Sequence, residues 1–315
     1  MIRGFVFLFL SLLFFGCSDK INLQEYGTIN AQRSKYIPSK REIHSKTKVL
    51  IRTINAPKSY YSKVATSRLQ NILSDDKAVI ILNRKYKSLR DEIKLYEQSV
   101  EVGEDLGEVN YIISGEITSV KVSEKYHPPS SWKDRHGKIH YEKAYYEYNA
   151  VAEGKLRITH IPSAQVTTIG LYGRASTTSN NRLSNLEELK VSAIKNAISN
   201  VANLLYNFFA PKGYVYEVKR KDDDIIIHTT LGYDDGIREG VIVLIYTKKE
   251  VKEPFSDKVN VIDKVIGTGE VSNLVEKDNS WIKVIKTTQP IKIGDFVKPD
   301  YTKGWFDKIY LKWFD

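Results

Sequence analysis

Residues 110–117 read Asn110-Tyr111-Ile112-Ile113-Ser114-Gly115-Glu116-Ile117. Tyr111-Ile112-Ile113 starts a strand that continues through Gly115-Glu116-Ile117. Upstream, Ala78 to Leu82 is a second apolar strand, and the polar stretch from about Ser88 to Gln98 between the two reads as a helix. Earlier still, residues 57–74 place Tyr61, Val64, Ala65, Leu69, Ile72 and Leu73 at helical spacing, directly after the short apolar strand Val49-Leu50-Ile51. Strand, helix, strand, helix, strand in this order is an α/β layered domain.

Downstream, Ala144, Tyr146, Tyr148, Ala150, Ala152, Leu156 and Ile158 share one face, while Lys143, Glu147, Asn149, Glu153, Lys155 and Arg157 share the other. That is a long strand with one wet side. The turn Pro162-Ser163-Ala164 leads to a partner strand, Val166 to Ala175. Ser184-Asn185-Leu186-Glu187 reads as a capping box, in which the serine oxygen and the Glu carboxylate satisfy free N–H groups at a helix start. The helix it opens turns Leu186, Leu189, Ala193, Ile194, Ala197, Ile198, Val201, Leu205 and Phe208 inward, and Pro211 and Gly213 stop it. The α/β domain is therefore expected over residues 48–210.

From Tyr214 onward helical periods vanish. Apolar runs recur at Tyr214–Val218, Ile225–His228, Val241–Tyr246, Val259–Ile266, Trp281–Ile285 and Asp295–Val297, separated by turn signals. This predicts a small all-β, barrel-like domain over residues 213–300. Gly236, Gly240 and Gly294 stand just before strands, where a tight turn is needed. An aromatic tail, residues 301–315, ends the chain.

The 315 residues are 42% hydrophobic and 27% charged, which excludes wholesale disorder, and one cysteine excludes a disulfide scaffold or a Cys-rich zinc site. Lys and Arg outnumber Asp and Glu by 48 to 38. The N-terminus explains the cysteine. Arg3 precedes the apolar run Phe5–Phe15, and Gly16 then stands directly before Cys17. The run is too short to span a bilayer, so residues 1–16 read as a secretory signal peptide. The Gly16-Cys17 pair resembles the bacterial lipobox, in which the cysteine thiol receives a diacylglycerol after cleavage and becomes the new N-terminus. Ser18, rather than Asp, follows the cysteine, which by the sorting pattern of such lipoproteins implies the outer membrane. Residues 17–47 are polar, with Arg33, Lys35, Lys40, Arg41 and Lys46 at their far end. They read as a lipidated cysteine followed by a flexible basic tether, reaching up to about 100 Å when extended. Export makes nucleic acid an unsuitable partner for the basic charge.

The order of elements in residues 48–209 resembles the curli-secretion lipoprotein (CsgG) family and its relatives, including lipoprotein activators of penicillin-binding proteins. The resemblance is carried by the lipobox cysteine and tether and by Leu82-Asn83-Arg84 with Leu89 and Glu92 on the following helix. Asn110–Ile117 and the hairpin Leu156-Arg157-Ile158…Val166 complete it. The second domain resembles the C-terminal domain of the flagellar protein FlgT through Leu231-Gly232, Gly236…Gly240 and Gly294-Asp295. Secreting members of the first family build a pore from two hairpins per subunit, which would fall after Ile117 and after Ala175. At the first place stands Lys125–Lys138, whose prolines Pro128 and Pro129 and charges Lys125, Lys133, Asp134, Arg135 and Lys138 do not form a lipid-facing alternation. The second place has too few residues for spanning strands. The expectation is a chain without the pore.

Chemistry is sparse. His127, His136 and His140 lie close in sequence, but the segment is broken by proline and glycine and lacks an HExxH glutamate, so loop histidines are expected rather than a metal site. Asp222-Asp223-Asp224 and Asp234-Asp235 sit in turns, where Asp commonly caps the backbone. No Gly-rich phosphate loop and no GxSxG appears. The sequence therefore predicts no enzyme, with no catalytic, cofactor or metal residues and with Cys17 as lipid attachment site. The expected role is an outer-membrane-anchored periplasmic lipoprotein, a scaffold or accessory subunit of a flagellar, secretion or cell-wall assembly. Its partners would be envelope proteins and outer-membrane lipid, with a homo-oligomer left open. The alternatives are an oligomeric secretion channel, in which residues 122–142 refold as membrane strands, and an activator of a peptidoglycan synthase.

Overall fold

The computed structural model describes residues 20–39, 43, 46–103, 107–255 and 259–301. Gly16, Cys17 and the aromatic tail beyond Tyr301 lie outside the described residues. The chain divides into two compact units, one of residues 38–213 with 234–236 and those from 297 onward, the other of residues up to 37, 214–233 and 237–296. The described chain opens with a two-residue strand, β1 (Gly27–Thr28), whose partner comes much later.

The first unit is built on a five-stranded sheet in the order β3-β2-β4-β7-β8. Strand β2 (Thr47–Ile51) is parallel to both β3 (Val79–Ile81) and β4 (Tyr111–His127). Its residues Val49 and Leu50 are buried on opposite faces, as an internal parallel strand requires. Helix α1 (Ser59–Ser74), between β2 and β3, buries Tyr61, Ala65, Leu69, Ile72 and Leu73 on the Val49 side. Helix α2 (Leu89–Val102), between β3 and β4, lays Leu89, Ile93 and Tyr96 on the Leu50 side, over Ile112. The chain steps from β2 to β3 and then back across β2 to β4. Two right-handed crossovers in opposite directions place their helices on opposite faces. The Ser88 hydroxyl accepts the Asp91 N–H to start α2, and Gly103, with φ +77°, ends it.

Beyond β4 the sheet becomes antiparallel, so the α/β layered expectation is met only in part, and strands outweigh helices among the described residues. Strand β4 runs ten residues past Ile117, pairing as far as His127 with Tyr145 of β7 (Tyr145–His160). The segment expected as a loop carries a small hairpin, β5 (Ser130–Lys133) and β6 (Ile139–Glu142). Its turn is closed by the Asp134 carboxylate, which accepts the N–H groups of His136 and Lys138 at 2.9 Å each. β8 (Val166–Ser179) completes the sheet.

The expected capping box does not form. The chain after β8 gives two helices, α3 (Glu187–Ser199) and α4 (Ala202–Phe209), where one was expected. Asn185 Oδ1 accepts the Glu187 N–H at 3.0 Å in place of the serine. The Glu187 carboxylate turns away to Tyr61, Lys58 and Lys190, three donors that a single backbone N–H does not outbid. After the break at Asn200–Val201 it is Phe209, rather than Phe208, that is fully buried. Helix α3 lies close on β8. A Cβ added at Gly173 would stand 2.2 Å from both Ala193 O and Ala197 N, so only glycine permits this approach.

Each of the six apolar runs after residue 213 becomes a strand of a second sheet: β9 (Gly213–Lys221), β10 (Asp224–Thr229), β11 (Ile242–Lys252), β12 (Val259–Val275), β13 (Ser280–Thr287) and β14 (Phe296–Pro299). They follow the order β9-β10-β13-β12-β11-β14, and β14 returns to β9, closing a six-stranded barrel. Gly236, Gly240 and Gly294 have φ of +84°, +78° and +93°, a region that disfavours other residues.

Residues 20–37 belong to this barrel unit, where the sequence pattern suggests a flexible tether. Ile21 is buried against Ile226 and Trp281, and its N–H donates to Asn273 Oδ1 at 2.8 Å. β1 pairs with the Lys219–Arg220 end of β9, beyond the Val215 end that bonds Gly294 and Asp295. Further on, Ser34 N–H donates to Ile293 O at 2.7 Å and Ile293 N–H to Gln32 O at 2.9 Å. The strap covers backbone groups that β14 leaves open on β9, which protects a sheet edge.

Candidate functional site: a cationic cleft

The α/β unit contains a cleft of about 560 Å³ on the α2 side of the sheet. The loop after β2 supplies Arg52 and Thr53, the loop after β3 supplies Arg84, Lys85 and Tyr86, and the paired strands β4 and β7 form the floor. β2 and β3 are adjacent, and the chain leaves them for helices on opposite faces. Their carboxyl ends therefore part to leave a crevice, the position at which open α/β sheets characteristically bind ligands.

The floor follows from strand register. Glu116 stands opposite Lys155 and Ser114 opposite Arg157, so all four lie on one face, and all four line the cleft. Lys155 Nζ is 2.9 Å from Glu116 Oε1, and Arg157 stands 3.8 Å from the same oxygen. The hydrogen bond from Lys155, then its charge, holds the Glu116 carboxyl below the ordinary carboxylate range. Gly115 is tightly enclosed from the other side, since a Cβ there would stand 2.8 Å from Lys155 O.

One wall is fixed by an ion pair. Glu92 of α2 is 1% exposed and accepts both terminal nitrogens of Arg84, Nη1 to Oε1 at 2.7 Å and Nη2 to Oε2. Nη2 also donates to Gly107 O at 3.2 Å. The hydrogen bonds to Glu92 push the Arg84 pKa up, keeping it charged. Arg84 Nε is buried without a hydrogen-bond partner. On the facing loop the Arg52 guanidinium lies 4.4 Å from the centre of the Tyr86 ring, a cation–π contact that orients its plane. Among the described residues Arg52 and Lys85 form no ion pair. The lining thus carries five cations against Glu116, with Glu92 behind Arg84.

Of the residues singled out from the sequence, Arg84, Glu92, Ser114 and Glu116 meet here, as do Lys155 and Arg157 from the wet face. Arg52, Lys85 and Tyr86 were missed. Their only sequence signal is position, cations placed just past the ends of two parallel strands. The three histidines do not converge. His127 bonds Glu147 at 2.9 Å, His140 bonds Asp134 at 2.9 Å and stacks on Trp132, and His136 is exposed. Among the described residues no group of three His, Cys, Asp or Glu side chains is placed to hold a metal ion. Asp222 takes a positive φ in the β9–β10 turn, and Asp234 and Asp235 lie in a short 3-10 turn. No described helix is long and apolar enough to cross a membrane.

No family model matches the chain, and no curated protein matches it. The resemblances to the curli-secretion and flagellar families therefore rest on the sequence alone. Among solved structures, the PelC dodecamer from Paraburkholderia phytofirmans overlaps at 14% identity, covering 53% of this chain and 95% of that one, with a TM-score of 0.24. Lipoprotein GNA1162 from Neisseria meningitidis overlaps at 13% identity, 49% and 99% coverage and a TM-score of 0.23. The putative neuraminyllactose-binding hemagglutinin homolog from Helicobacter pylori gives 13%, 57% and 91%, with a TM-score of 0.29. TM-scores this low carry no argument, and the site stands on its own residues.

Proposed function

We propose that this chain is a lipid-anchored, non-catalytic accessory protein of a bacterial envelope, acting by binding other envelope components. The observation that carries the reading is the N-terminal layout: Arg3, the apolar run Phe5–Phe15 and the Gly16-Cys17 pair, followed within four residues by Ile21 buried in the barrel unit. At 3.3–3.6 Å per residue, the chain between an acylated Cys17 and Ile21 spans at most about 14 Å. Such an anchor holds the barrel unit at the membrane surface, without the long leash suggested by the polarity of residues 17–47. Ser18 favours the outer membrane, facing the periplasm.

Intact-mass analysis of the native protein tests this. The expected product begins at Cys17 and carries a diacylglycerol with a further acyl chain, sediments with the outer membrane, and crosslinks to other envelope proteins. C17S is expected to accumulate with its leader uncut. A native protein with a free Cys17 thiol in the cytosol overturns the proposal.

A further inference from the structure

We propose that the cleft at the carboxyl ends of β2 and β3 is a binding site for a compact multivalent oxyanion, a small phosphorylated molecule or headgroup. This inference does not depend on the lipid anchor. Four observations converge. The cleft lies where the strand order opens the sheet, and its volume of about 560 Å³ is that of a small-molecule site rather than of a lone ion. Its cations exceed its carboxylates, even with Glu92 counted against Arg84. A single carboxylate ligand leaves most of that excess uncompensated, whereas one phosphomonoester brings nearly two charges and three acceptor oxygens.

Third, the protein leaves donors unspent. Arg52 and Lys85 are exposed and have no ion pair among the described residues. Fourth, the donors are pre-oriented. Arg84 is clamped by Glu92 and Gly107 O, Arg52 is stacked on Tyr86, and Lys155 is fixed by Glu116. The Arg52 fork, held in this way, matches phosphoryl oxygens at little entropic cost, while Arg84, spent on Glu92 and Gly107 O, adds fixed positive charge to the wall. Thr53, Asn55 and Ser114 supply neutral hydrogen-bonding groups in the same lining.

The test uses the full chain in zwitterionic detergent, titrated calorimetrically with inorganic pyrophosphate, and in parallel its flotation with vesicles of phosphatidic acid against phosphatidylcholine. Backbone amide shifts of Ser114, Gly115 and Glu116 report whether the cleft is the site. R52Q and K85Q remove exposed side chains and leave the fold intact. Each is expected to weaken binding about tenfold, the value of one charge-assisted contact. K94Q, an exposed charge on α2 outside the cleft, is expected to leave it within about twofold. Pyrophosphate binding with this pattern supports a soluble phosphorylated ligand. Phosphatidic acid binding alone, with the same pattern, supports a lipid headgroup. No binding of either probe up to about 10 mM, equal weakening by K94Q, or unmoved amides at Ser114–Glu116 overturns the proposal.

Discussion

Replacing Glu92 by alanine removes the carboxylate that holds one wall of the cleft. Glu92 is buried while the Arg84 side chain is 29% exposed, so the variant leaves a cation that water reaches in part. Removing one partner of a fully buried pair costs about 3–5 kcal/mol. The partial exposure of Arg84 puts this site at the lower end, about 3 kcal/mol. The loss is local to α2 and the loop after β3, because Arg84 also ties that loop to Gly107. Native-state hydrogen exchange of the Leu89–Val102 amides is the suitable assay. About 3 kcal/mol corresponds to exchange accelerated about a hundredfold. The double variant Arg84→Met/Glu92→Leu is expected to recover most of the protection, since apolar replacement of both partners removes the desolvation penalty together with the attraction. Protection unchanged to within about 0.5 kcal/mol in Glu92→Ala would refute the claim that this pair fixes the wall.

Three further outcomes are expected. Gly173→Ala drives a methyl into the α3 backbone and should cost about 1–3 kcal/mol or more in thermal unfolding, while Gly170→Ala on the same strand meets nothing within 4 Å and should cost little. The Glu187 carboxyl, held down to about 2 from its ordinary 4.5 by Lys190 first, then Tyr61 and Lys58, should titrate near that value by NMR. Its folded pKa is depressed, so the stabilisation is present above about pH 4.5 and is lost as pH falls toward 2, and Glu187→Gln should remove that acid dependence. Ile21→Ala should destabilise the barrel unit by about 2–4 kcal/mol in urea unfolding, whereas the exposed Ile37 should tolerate alanine; equal and negligible effects at both positions would restore the tether.

Local periodicity made much of this architecture legible. The β-α-β-α-β order, the wet face carrying Lys155 and Arg157, and the six barrel strands are each written in the spacing of neighbouring residues, because a strand or an amphipathic helix buries one face whatever lies beyond it. Other features left no such mark. The strap of residues 20–37 is held by one buried anchor, Ile21, by backbone hydrogen bonds to β9 and Ile293, and by scattered side-chain pairs such as Lys35 with Glu250, none of which sets up a local period. The capping box matched its pattern, yet Glu187 found better donors on α1, some 126 residues earlier.

The sequence by itself determined the β-α-β-α-β order of the first module and the six strands of the barrel, because each element carries its own periodic apolar face. The tertiary structure alone decided the cleft. Arg52, Arg84, Glu116 and Lys155 come from four separate segments, and only the order β3-β2-β4-β7, fixed by crossovers of opposite direction, sets their charges around one opening.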